Sequence, residues 1–127
     1  MSDPLLDALL LQREAAELGF DWQHLDELWG KLAEEVAELR VAAQQGRAQA
    51  TDELGDLLFM AINIARHLEV DPVAALDGTC RKFQRRFAHV TRDLEKLSPM
   101  GDPRRIVEME ALWQDAKRFE KSDTPAT

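Results

Sequence analysis

Two short acidic clusters have spacings that permit chemistry. Glu34, Glu35 and Glu38 form E-E-x-x-E, and Glu53 with Asp56 forms E-x-x-D. Residues three apart on a helix are neighbours, so Glu35 with Glu38, and Glu53 with Asp56, each present a carboxylate pair. Helices joined by a short connection pack antiparallel, which turns the two pairs toward each other. Carboxylates gathered in this way repel, oppose folding and raise one another's pKa values. A divalent cation removes that conflict. Oxygen-only ligands favour Mg²⁺, with Mn²⁺ as a substitute, over zinc, and an incomplete protein shell leaves room for water and phosphate oxygens. The plainer reading of either cluster alone is a solvated acidic helix surface. Asp56 is the sharper case, because it sits among Leu54, Leu57, Leu58 and Phe59.

The basic residues form a second constellation. Lys82 and Arg86 are four apart beside Phe83 and Phe87, with Arg85 pointing elsewhere, and Trp113 and Lys117 repeat the spacing. Arginine holds phosphate oxygens as a planar fork and lysine as a point charge. A tryptophan one turn away can stack on a base or close a pocket. Each pair alone also fits a solvated ridge beside a core aromatic. His24, His67 and His89 have no metal-ligand spacing and read as structural or surface residues, and Cys80 reads as a small buried residue. No glycine-rich phosphate loop is present.

The elements that must carry these residues read as about five helices and no strand. Asp3-Pro4 reads as a cap followed by proline at the first helical position, with Gly19 as the stop. Asp21 is the expected cap of a second helix over residues 23–45, ended by Gly46. Leu25, Leu28, Trp29, Leu32, Val36 and Leu39 give it three-and-four spacing. A third helix is expected from about Thr51, its broad apolar face (Leu54, Leu57, Leu58, Ala61, Ile62, Ala65, Leu68) implying cover on more than one side. Gly55 would allow close helix approach there. Asp71-Pro72 opens a fourth helix, read as running to about Leu97. Residues 98–103 form a loop, and Pro103 opens a fifth helix. Residues 1–120 read as a single domain and 121–127 as a flexible polar tail.

Composition bounds the rest. The 127 residues fit one domain, and 45% hydrophobic with 31% charged residues is an ordinary globular mix. A helical chain of this size often shares its core with a second copy. The net charge of -8 opposes binding to a nucleic-acid polymer. One cysteine permits no intrachain disulfide and no four-cysteine zinc site. The first residues carry Asp3 and Asp7 and do not read as a signal peptide, and no run is long enough for a membrane span. A cytoplasmic protein, not membrane-bound, is expected.

The ordered motifs resemble one family closely. They are GFDW at 19–22, K-x-x-E-E-x-x-E-L at 31–39, E-L-G-D-L-L-F at 53–59, N-x-A-R-H-L at 63–68, K-F-x-R-R-F at 82–87 and A-L-W-x-x-A-K at 111–117. Together they resemble the catalytic domain of the MazG nucleoside triphosphate pyrophosphohydrolases, most of all the second, C-terminal domain of two-domain members. The resemblance implies an all-α bundle with a core shared in a homodimer, a tetramer being the alternative. It implies Mg²⁺ on Glu35, Glu38, Glu53 and Asp56, and triphosphate contacts from Lys82 and Arg86, with Trp113 and Lys117 completing the nucleotide site. Lys31 and Glu34 match the motif too, Lys31 as a substrate-binding residue and Glu34 as a further ligand or a residue behind the ligands. Asn63, seven residues beyond Asp56 and on nearly the same helix face, is a substrate contact. Trp22 lines the base pocket or anchors the core.

The implied reaction is hydrolysis of a nucleoside triphosphate to the monophosphate and pyrophosphate, in a house-cleaning or nucleotide-pool role. Positioning and charge neutralisation dominate such catalysis. Glu38 or Glu34 would take the proton of the attacking water. The alternatives are a dUTPase, a dCTPase or a phosphoribosyl-ATP pyrophosphohydrolase of the same superfamily, or a non-catalytic helical dimerisation module.

Overall fold

A computed structural model describes residues 3–123 of the chain. Five helices follow in order: α1 (Pro4–Glu17), α2 (Leu25–Gln45), α3 (Arg47–His67), α4 (Pro72–Val90) and α5 (Pro103–Asp123). A single 3-10 turn, Leu94–Lys96, separates α4 from α5, and no strand occurs among the described residues. The all-α expectation holds. None of these helices is long and apolar enough to cross a membrane. The chain forms two compact units, Met1–Ala75 and Leu76–Thr127.

Local chemistry accounts for the helix starts. The Asp3 carboxylate accepts from the backbone N–H groups of Leu5 and Leu6, at 3.0 and 3.4 Å, just ahead of Pro4. Asp71 does the same for Val73 and Ala74 ahead of Pro72, at 2.9 and 3.3 Å. Asp21 departs from the expectation. It does not cap α2, which opens at Leu25 behind His24 with no side-chain cap. Its carboxylate is taken instead by Arg66 of α3.

The link between α2 and α3 is one residue. Gly46 adopts φ 139°, a left-handed conformation that a side chain would strain. Its N–H donates to the Ala42 carbonyl at 3.2 Å, and its own carbonyl accepts from Ala50 N–H at 3.0 Å. The helix therefore restarts at Arg47 instead of near Thr51, and Ala48 and Ala50 support that early start. Glu53 consequently sits in the second turn of α3, well inside the helix.

Helices α2 and α3 form an antiparallel hairpin with α1 laid against α3. Its core is Leu28, Met60 and Ile64, with Trp22, Leu25 and Leu32 packed around it. Leu28 is 0% exposed, and burying such a side chain contributes about 2 kcal/mol. The broad face of α3 is only partly covered. Ile62 is buried and Leu57 half-buried, whereas Leu54, Leu58 and Leu68 are exposed. A Cβ built on Gly55 meets nothing within 4 Å, so that glycine serves no close approach among the described residues.

In Leu76–Thr127, α4 stops at Val90, short of the expected Leu97. The Thr91 hydroxyl bonds back to the Phe87 carbonyl at 3.0 Å, and Arg92 N–H reaches His89 O in the tighter 3-10 pattern. Leu94 and Leu97 continue a helical spacing but lie on the 3-10 turn and its exit. The following loop is pinned by Glu108, which accepts from Ser98 N–H at 2.7 Å and Ser98 Oγ at 2.8 Å. These bonds hold the Glu108 carboxyl below its ordinary pKa. Cys80 is exposed, contrary to the buried reading, because it lies on an open face of α4. Of the expected tail, residues 121–123 continue α5 and residues 124–127 lie outside the described set.

Candidate metal and nucleotide site

The buried residues of α2 are Leu28, Glu35 and Ala42, spaced seven apart. That is the seam facing α3, and a carboxylate occupies its middle position. Glu35 is 7% exposed. Its Oε1 lies 3.8 Å from Lys31 Nζ, and its Oε2 is enclosed with no partner. Glu53 of α3 likewise has an enclosed Oε2 without a partner. Carboxylate oxygens of Glu35, Glu38 and Glu53 lie within 4.8 Å of one another, as do those of Asp52, Glu53 and Asp56.

Electrostatics follow from that crowding. Burial, then the neighbouring Glu38 charge, pushes the Glu35 carboxyl above its ordinary pKa. Burial and the hydrogen bond with Glu38 do the same for Glu53, with Asp56 and Asp52 adding repulsion. Two enclosed oxygens lacking donors, in a set made only of carboxylates, suit a hard divalent cation. The residues present therefore fit a metal of the magnesium type. Beside them a cleft of about 400 Å³ is lined by Glu38, Asp52 and Glu53, with Ala37, Val41 and Gln49.

The structure brings four expected ligands into these two groups and adds Asp52, which sequence reading missed. Its signal was available, since Asp52 and Asp56 stand four apart on one helix. Asp56 is exposed, although apolar residues flank it in sequence, because Leu54, Leu58 and Phe59 beside it are exposed as well. Glu34 is not drawn into either group. It points outward and pairs with Lys31 at 3.2 Å, with 64% of its side chain exposed.

Within Leu76–Thr127, α4 and α5 place the basic and aromatic residues. Phe83 stacks on Phe87 with centroids 5.3 Å apart and meets Trp113 at 5.4 Å. The Arg86 guanidinium lies 5.6 Å from the Trp113 ring centre and donates through Nε to Glu120 at 3.0 Å. Arg85 also bonds Glu120, at 3.2 Å, so both arginines converge on one carboxylate instead of diverging. Arg86, then Arg85, holds the Glu120 carboxyl below its ordinary pKa. Lys82 is exposed and Lys117 half-buried.

Comparison with known proteins gives the family. Residues 23–91 match the MazG nucleotide pyrophosphohydrolase domain model. The chain belongs to the MazG family. It is 36% identical over 119 residues to a nucleoside triphosphate pyrophosphohydrolase of Escherichia coli, covering 91% of this chain and 45% of that protein. It is 34% identical over 119 residues to the nucleoside triphosphate pyrophosphohydrolase/pyrophosphatase MazG of Thermotoga maritima, covering 91% and 46%. An uncharacterized Bacillus subtilis protein, YabN, matches at 33% over 69 residues, which is 54% of this chain and 14% of that protein. The chain thus spans less than half the length of these curated relatives. The stretch that matches the MazG domain contains both acidic clusters together with Lys82 and Arg86.

The remaining expected contacts, Trp22 and Asn63, line a second cavity of about 540 Å³ within Met1–Ala75 of this MazG-family chain. Trp22 also packs on the Leu28 core, so it is both wall and anchor. A cluster of polar side chains behind this cavity gave no sequence signal. Arg66 donates to Gln12 Oε1 at 2.9 Å, to Asn63 Oδ1 at 2.7 Å and to both Asp21 oxygens. Gln12, Asn63, Arg66 and Asp21 come from three separate stretches, which only the fold assembles.

Proposed function

We propose that this chain hydrolyses a nucleoside triphosphate to the monophosphate and pyrophosphate, with Mg²⁺, or Mn²⁺ in its place, on Glu35, Glu38, Glu53 and Asp56. The observation that carries the reading is the carboxylate seam: Glu35, Glu38 and Glu53 within 4.8 Å of one another, two of them with enclosed orphan oxygens, in a MazG-family chain. Asp52 joins Asp56 on the outer side of Glu53. These carboxylates would hold a divalent cation, which when bound would supply charge neutralisation for the phosphates and a more acidic water.

The protein's own residues divide the remaining work. Glu38 is exposed, beside the cleft and close to Glu53, which suits it to take the proton of the attacking water. That water's oxygen bonds to phosphorus as the bond to the pyrophosphate leaving group breaks. Glu34, turned outward onto Lys31, is the weaker choice for that base. Lys31 keeps Glu34 and Glu35 in place. Lys82 and Arg86 are assigned to the triphosphate, Trp113 and Lys117 to the rest of the nucleotide, Asn63 to a substrate contact and Trp22 to the base. Exposed Trp29 and Val36 on α2, with Leu54 and Leu58 on α3, support a second copy packing on the hairpin as a homodimer. A cytoplasmic nucleotide-pool role completes the reading.

The deciding experiment is pyrophosphate release from nucleoside triphosphates with and without Mg²⁺, in the wild type, Glu38→Gln and Asp56→Asn. Turnover that needs the metal and vanishes in both variants, at unchanged helix content by circular dichroism, is the expected result. Full activity in both variants would remove the metal-site assignment.

A further inference from the structure

The cavity between Trp22, Phe20 and Phe59 is lined by Gln12, Asn63, Arg66 and the Asp21 carboxylate that Arg66 engages, and Arg66 fixes the sense of the two amides. Arg66 has only donors to offer. Its Nη2 reaches Asn63 Oδ1 at 2.7 Å, and its Nε reaches Gln12 Oε1 at 2.9 Å. Both amides must therefore turn their oxygens toward Arg66 and their NH₂ groups away from it. Gln12 Nε2 gives one hydrogen to the Phe59 carbonyl at 2.9 Å. Asn63 Nδ2 has no acceptor among the described residues. Asn63 lines this cavity, and its Nδ2 is the end of the amide turned away from Arg66. Asn63 is 7% exposed and Gln12 5%, so each is a buried amide whose oxygen faces Arg66.

Such a cavity selects its occupant. Aromatic walls take a flat ring. The Asn63 amide, with its donor to spare, calls for an acceptor opposite it on that ring, since a donor placed there leaves two buried N–H groups facing each other. Asn63 stands seven residues past Asp56 on α3, about 10 Å along the axis at 1.5 Å per residue, on nearly the same stripe. An extended nucleotide bridges such a distance between its base and its phosphates.

Resting on the nucleotide reading above, we infer that Asn63 is a specificity-determining residue. It selects bases that carry an exocyclic carbonyl where adenine and cytosine carry an amino group. Guanine, hypoxanthine, uracil and thymine present the acceptor, and adenine and cytosine present a donor at the same place. Arg66 is the positioning residue that fixes the direction of the amide.

Nucleosides test this apart from turnover, because they carry no phosphate. Inosine and adenosine, which differ in the exocyclic group at position 6 and in the proton on the neighbouring N1, are titrated into the full metal-free chain and followed by amide NMR shifts. Inosine is expected to bind about tenfold tighter, in line with one buried hydrogen bond made instead of opposed. Asn63→Ala removes the difference. Asn63→Asp keeps a partner for Arg66 but can only accept, and it shifts the preference to adenosine. Arg66→Gln, which no longer dictates the amide direction, narrows the ratio at unchanged helix content. Equal affinities in the wild type, or an inosine preference that survives in both Asn63 variants, overturns the inference. Failure of the pyrophosphohydrolase reading shows separately, as no pyrophosphate from any triphosphate, and leaves the nucleoside result readable.

Discussion

Arg66 forms a two-pronged ion pair with Asp21 across 45 residues of sequence, Nη2 to Oδ1 at 2.8 Å and Nη1 to Oδ2 at 3.1 Å. The pair ties the α1–α2 connection to the end of α3. A planar guanidinium fits both carboxylate oxygens at once, which lysine cannot do. The same Arg66 Nη2 also holds Asn63, so one side chain links the connection to the cavity floor.

Asp21→Asn is expected to lower stability near neutral pH by roughly 1–2 kcal/mol, a charge-assisted hydrogen bond discounted for partial solvent screening. The effect depends on pH with a definite sign. The hydrogen bond from Arg66 holds the folded Asp21 carboxyl far below the usual carboxylate range. A depressed folded pKa gives stability that is present above the unfolded value, about 3.9, and is lost as the pH falls below it. Urea unfolding of both proteins at pH 7 and pH 3 measures this. The gap should shrink in acid, and a constant gap would mean that Asp21 acts by packing.

The acidic seam has the opposite sign. Glu35 and Glu53 have raised pKa values in the folded chain, so their contribution favours the metal-free fold below the unfolded carboxylate pKa and is lost as the pH rises through the folded values. Glu53→Gln removes one charge from the seam and is expected to raise the melting temperature of the metal-free protein once the pH is above the folded carboxylate's raised pKa. The same substitution should abolish stabilisation by Mg²⁺. In the wild type, Mg²⁺ at about 100 times its Kd adds roughly 2.7 kcal/mol. Calorimetric melts with chelator and with Mg²⁺ check both halves. A variant that still gains the full Mg²⁺ increment would show that Glu53 is no ligand.

Much of this was legible from spacing. Asp3-Pro4 and Asp71-Pro72 marked helix starts because an aspartate cap followed by proline is a local signal, and Gly46 marked the hairpin for the same reason. The four carboxylates were legible because both pairs lie on adjacent helices joined by that single residue. What escaped depends on the fold. Asp21 read as a cap because its partner Arg66 is 45 residues away. Arg85 and Arg86 read as diverging because Glu120, which draws them together, is on another helix. The end of α4 escaped because Leu94 and Leu97 keep a helical spacing while Thr91 turns back onto Phe87.

The exposed apolar residues of the hairpin give a third prediction. Leu54 and Leu58 are four apart on α3 and exposed, and Trp29 and Val36 are seven apart on α2 and exposed. If a second copy covers them, Leu58→Glu places a charge in an apolar contact and should weaken self-association at least tenfold. Sedimentation equilibrium of wild type and variant reads this directly. Leu28→Ala is the control: it should lower stability by about 2–5 kcal/mol through a core cavity at any protein concentration. A wild type that sediments as a monomer at all concentrations would remove the homodimer from the reading.

Lys82 and Arg86 separate phosphate contact from structural support. Arg86 is 15% exposed in its side chain, lies over Trp113 and is bonded to Glu120. Arg86→Ala therefore loses packing and a charged hydrogen bond together, and should lower both the melting temperature and turnover. Lys82 is exposed and makes no ion pair among the described residues, so little in the fold depends on its charge. Lys82→Ala should raise KM for a nucleoside triphosphate about tenfold, the loss of one charge-assisted phosphate contact, and leave the melting temperature within a degree or two. Steady-state pyrophosphate release with thermal melts of both variants makes the comparison. A Lys82→Ala protein with unchanged KM and kcat would take the phosphates away from this face of α4.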